Sequence, residues 1–155
     1  MQSKLKKRLR AAFDESLPRM LLDFQQTRCE GLIPGERVYR RVLPSGVAIF
    51  AFLLESPKDD KFTLEGAVAP TDRFPAYCSL MNPREVRMPD GTVHPADRMR
   101  NGQLRARAGS FGDVYEDIWW PVDVDSIDRA TGIALAFYRD RMLPVLMSLA
   151  EGSSR

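Results

Sequence analysis

The sequence predicts an α+β fold, with a mainly antiparallel sheet of about four strands packed on one face by helices from the two ends of the chain. Three observations carry this. Apolar residues recur every three or four positions near both termini, the period of one helix face. Between them lie short β-branched and aromatic runs separated by turn residues. Glycine and proline punctuate each change of pattern.

Leu5, Leu9, Phe13, Leu17, Met20, Leu21 and Phe24 predict a helix from Ser3, its expected N-cap, to about Gln26. Pro18 lacks an amide hydrogen and is expected to kink that helix or restart it. After Gly31, Pro34 and Gly35, the runs Val38–Leu43 and Val47–Leu54 flank Pro44-Ser45-Gly46 and read as a hairpin. The second run is apolar throughout, which suits a central strand covered on both faces. Phe62–Ala69 supplies a third strand, completing a meander. From Pro70 to Gly102, five prolines and little periodicity predict an extended surface loop with a turn at Pro89-Asp90-Gly91. Gln103–Ala108 alternates, so a half-buried fourth strand is expected with Arg105 and Arg107 on its wet face. From Ile127 to Leu149 helical spacing returns, with Asp125 as expected N-cap and a kink threatened at Pro144. Leu9, Phe13, Phe24, Ile49, Phe52, Leu64, Leu135, Leu146 and Leu149 are the expected core.

The 155 residues suit one domain, 1–155. Their longest apolar run, Val47–Leu54, falls far short of the roughly 20 residues of a membrane-spanning helix. The basic start, Lys4 to Arg10, leads into charged residues rather than an apolar signal core, so a cytoplasmic, monomeric or homodimeric protein is expected. Cys29 and Cys78 match neither a disulfide scaffold nor a zinc motif. With 23 Lys and Arg against 21 Asp and Glu, no whole-molecule field favours nucleic acid. Local charge is less even: Asp113 to Asp128 holds six acids and no base before Arg129.

Chemistry-bearing motifs are sparse. His94 is the single histidine, and Ser45 and Ser110 do not complete a nucleophile elbow. No phosphate-binding glycine loop is present, so no cofactor and no metal are expected. The acidic segment 113–128, with His94, is the alternative basis for a small hydrolase or transferase. Arg37, Arg40, Arg41, Arg98, Arg100, Arg105 and Arg107 would grip an anionic partner if the fold gathered them; a nucleic-acid-binding domain is the second alternative. Trp119-Trp120 is the most unusual feature. Neighbours on an extended backbone face opposite ways, so one indole can enter the core while the other anchors a partner.

Phe74-Pro75, Leu104-Arg105, Trp119-Trp120 and Met142-Leu143-Pro144 occur in an order that resembles an uncharacterised bacterial domain family with a Trp-Trp pair before its last helix. In size and style the chain is also similar to immunity proteins of bacterial toxin systems. That resemblance implies a cytosolic binder that neutralises a toxin by occluding it. Inhibitors of basic nuclease toxins tend to be strongly acidic, and a net charge of +2 disfavours such a partner. The expected function is therefore non-enzymatic protein binding. The expected surface comprises Trp119, Trp120, Asp113, Glu116, Asp117, Arg98, Arg105 and Arg107, together with the Pro70–Gly102 loop.

Overall fold

The computed structural model describes residues 1–27, 37–70, 84–87, 93–98, 104–112 and 114–153, with the backbone alone at 70, 84–87, 93–98 and 153. In chain order the elements are α1 (Ser3–Met20), β1 (Gln25–Gln26), β2 (Arg37–Val42), β3 (Val47–Glu55), β4 (Lys61–Pro70), β5 (Arg84–Arg87), β6 (Val93–Arg98) and β7 (Leu104–Arg107). A 3-10 turn (Ala108–Phe111) and β8 (Trp120–Pro121) follow. The chain then runs through α2 (Ile127–Phe137), a π-helical turn (Tyr138–Met142) and α3 (Leu143–Ser153).

Every pairing is antiparallel, in the order β1-β2-β3-β4-β7-β6-β5, with β8 added beside the start of β4. The four expected strands are β2, β3, β4 and β7, and the β2–β3 turn closes at Gly46, whose φ of 83° suits glycine. The sheet exceeds four strands because the expected Pro70–Gly102 loop contains the β5–β6 hairpin and the two-residue strands β1 and β8 pair with β2 and β4. Pro95 is tolerated there because β7 pairs only with Asp97 and Arg98 of β6, leaving Pro95 flanked by β5 alone. The expected turn at Pro89-Asp90-Gly91 lies outside the described residues.

The strand period of two sorts the sheet into two faces. Ile49, Ala51 and Leu53 of β3, Phe62, Leu64 and Val68 of β4, and Leu104 and Ala106 of β7 face the helices. There they meet Leu9, Phe13 and Leu17 of α1, Leu135 of α2 and Leu146 of α3. The opposite face carries a second buried cluster: Val38, Ala48, Phe50, Phe52, Ala67 and Ala69. β3 is thus covered on both sides, as its unbroken apolar run requires. Of the expected core, Phe52 belongs to this second cluster and Leu149 is only half-buried; the others line the helix side.

Helix boundaries shift at the prolines and caps. α1 stops at Met20, two residues after Pro18. Asp23 takes a left-handed φ of 68°, turning the chain so that Leu21 and Phe24 still pack inward from outside the helix. Ser3 lies within the first turn, and the N-cap is Gln2. At the C-terminal helix the N-cap is Ser126 rather than Asp125. The Asp123 carboxylate accepts the amides of Asp125 and Ser126, both at 2.9 Å, closing the turn that leads into the helix.

Pro144 does not break the last helix. The preceding turn widens to π geometry instead, with the Leu143 amide donating to the Tyr138 carbonyl. This suits the core row Tyr138, Met142, Leu146 and Ala150. Steps of four residues overshoot a full α-helical turn by about 40° each, and the wider turn takes up part of that drift. The row lies over Gly66, where a β-carbon would sit 2.7 Å from Leu146 Cδ1 and 3.1 Å from Met142 Cε. α1 is fastened to the sheet by Arg10 on Glu55 (2.6 Å) and by Asp14, which accepts from both Arg37 and the Tyr39 hydroxyl.

Candidate interaction surface around Trp119 and Trp120

Residues 116–122 are stitched along the start of β4. Thr63 Oγ1 donates to the Ile118 carbonyl at 2.6 Å, and the Val122 amide donates to the Asp60 carbonyl at 3.0 Å. Gly109 holds the other side. A β-carbon there would lie 1.6 Å from the Glu116 carbonyl oxygen, so only glycine admits this approach.

Pairing of Trp120 with Phe62 turns the two indoles to opposite faces. Trp120 joins the helix-side core, with ring centroids 5.8 Å from Phe62 and 5.6 Å from Phe137. Trp119 lies on the other face, half-buried. Its Nε1 donates to Asp117 Oδ2 at 3.1 Å, and Lys61 Nζ and Arg107 Cζ lie 5.2 and 5.5 Å from its ring centroid. Cations on the π-face and a carboxylate on the N–H edge match the indole's quadrupole and restrain it.

Behind Trp119 the alternation of β7 holds, but its arginine face is not wet. Arg105 is 1% exposed, with Nε 2.7 Å from Glu65 Oε2 and its guanidinium 3.7 Å over the Phe52 ring. Arg107 is 12% exposed and approaches the other Glu65 oxygen at 3.5 Å and Asp117 at 4.0 Å. Arg105 therefore does not serve as a surface contact; it belongs to a buried Arg–Glu–Arg network. The signal was Glu65, a carboxylate near the middle of β4 on the same face as both arginines.

The expected surface is assembled only in part. Trp119, Asp117 and Arg107 come together, Glu116 is exposed beside them, and Trp120 points to the opposite face. Arg98 is placed by its backbone alone, opposite Leu104, and Asp113 lies outside the described residues. Arg37 is paired with Asp14 on α1, and Arg40 and Arg41 sit on β2. β2 lies three strands, about 14 Å, from Arg105 and Arg107 on β7, so the described arginines do not form one patch. His94 pairs with Val86 in the β5–β6 hairpin, and its side chain is outside the described residues. Asp123 is engaged in its turn and Asp117 with Trp119. Among the described residues, no group of three His, Cys, Asp or Glu side chains could hold a metal ion, and no helix is long and apolar enough to cross a membrane.

Fold and surface together define an α+β protein with an antiparallel sheet buried on both faces and an aromatic segment braced along one end. No family model matches the chain, and no curated protein or solved structure does either.

Proposed function

We propose that this chain is a non-enzymatic protein-binding domain that docks a partner on the Glu116–Trp120 segment, in the manner of an immunity protein occluding a toxin. The observation carrying this reading is Trp119: an aromatic side chain at the surface, braced by Asp117, Lys61 and Arg107. A restrained indole loses little further entropy on docking, and tryptophan is enriched among residues that dominate interface energy. The bracing also changes the expected partner chemistry. Asp117 is occupied by the indole N–H, and the cations stand over the ring, so the Trp119 face does not present a purely acidic rim.

The test is co-expression with the product of the adjacent gene, followed by affinity capture and calorimetry. Trp119→Ala should weaken the complex by at least about 2 kcal/mol, while its cost to the free domain, the loss of the Lys61, Arg107 and Asp117 contacts, should stay at about 1 kcal/mol. Trp120→Ala should instead lower stability by about 3 kcal/mol, because that ring is packed on Phe62 and Phe137. Binding that survives Trp119→Ala at full strength removes this surface from consideration.

A further inference from the structure

We infer that the open cleft on the Trp120 side of the same segment receives a long basic side chain, lysine or arginine, from a protein partner. The inference rests on the protein-binding reading and narrows it. The cleft has a volume of about 380 Å³ and lies between the β3–β4 turn, β8 and one face of α2. Its floor is apolar: the Trp120 ring, Val122 and Ile133, the last of these 50% exposed. Asp60 and Asp123 stand on its rim. Neither carboxylate has an ion-pair partner among the described residues.

Apolar floor and acidic rim match the two halves of a lysine or arginine side chain. Its methylenes would cover Trp120, Val122 and Ile133 while its head group reached the carboxylates. Asp123 uses Oδ1 to accept two backbone amides, leaving Oδ2 without a hydrogen bond among the described residues. Exposed Asp125 and Asp128, next along the chain, add to the negative field, which steers a basic segment toward the cleft. Val124, 57% exposed beside Asp123, adds apolar surface next to the opening. Arg129 also lines the cleft and works against a cationic occupant.

The test uses hexalysine and hexaglutamate peptides blocked only at their N-termini, titrated at low salt into the Trp119→Phe protein, so that emission reports on Trp120 alone. Hexalysine should shift that emission saturably, and hexaglutamate should not. Asp60→Asn should weaken hexalysine binding about threefold or more, while Asp128→Asn, outside the cleft, should change it less than about twofold. Arg129→Ala should tighten it. An emission unmoved by hexalysine, or equal weakening by Asp60→Asn and Asp128→Asn, overturns the inference, the latter by showing diffuse attraction only. Because the titration needs no natural partner, it can fail or succeed independently of the co-expression experiment.

Discussion

The Tyr138 hydroxyl donates a 2.8 Å hydrogen bond to the Phe50 carbonyl oxygen, joining the start of the π-helical turn to the centre of β3. Both groups are buried, so the bond has no competition from water, and removing the hydroxyl leaves nothing of equal polarity in its place. Tyr138→Phe should cost about 1–2 kcal/mol, read as a lower urea midpoint with an unchanged denaturant slope.

The same hydroxyl, with that of Tyr39, predicts a loss of stability in alkali. Burial holds the Tyr138 phenol well above the ordinary tyrosine value; burial, followed by its bond to the Asp14 carboxylate, does the same for Tyr39. A raised folded-state value means that the contribution is complete below the unfolded value, near 10, and is lost as pH climbs above it. Each tyrosine should contribute a slope of about 1.4 kcal/mol per pH unit there. Urea unfolding between pH 8 and 11 checks this: Tyr39→Phe and Tyr138→Phe should each flatten the decline.

Glu65 lies between Arg105 and Arg107 and is wholly buried. Glu65→Gln keeps its shape but removes the charge that faces both guanidinium groups in this buried site. A cost of about 3–5 kcal/mol is expected, measured by chemical denaturation. A cost below about 1 kcal/mol would show the network to be solvated.

Gly109→Ala tests the link between sheet and surface. The new methyl must displace the Glu116 backbone, and with it the strip carrying Asp117 and Trp119. Stability should fall by about 3 kcal/mol, and Trp119 emission should shift to the red as its bracing loosens. Gly112→Ala, whose β-carbon would stand 3.4 Å from the nearest atom, should leave that emission unchanged.

What could be read from sequence followed from periodicity, and what could not depended on partners. Val47–Leu54 announced a strand buried on both faces because an apolar run without alternation, bounded by turn residues, is shorter than a typical helix. Trp119 and Trp120 had to diverge once the backbone was extended, although which one entered the core depended on Phe62 standing opposite Trp120. The β5–β6 hairpin was hidden because Arg-Glu-Val-Arg and the proline-containing run beside it have little pattern of their own; their regularity comes from pairing. Leu21 and Phe24 kept helical spacing after the helix had ended, because burial fixes where a side chain goes and not the backbone that delivers it. Arg105 was assigned to the correct face of β7, but whether that face was wet depended on Glu65, 40 residues earlier.

The wide turn at Tyr138–Met142 has a bearing on how the chain can change length. It holds one residue more than an α-helical turn needs, and Arg139, Asp140 and Arg141 lie outward in solvent. Losing one of these three would let the helix close to α geometry while α2 keeps its side toward α1 and α3 its side toward Gly66. Elsewhere in a helix the same loss swings everything downstream by about 100°. Here the slack is already built in, so single-residue deletions among homologous chains should collect at this turn and spare the rest of the helix.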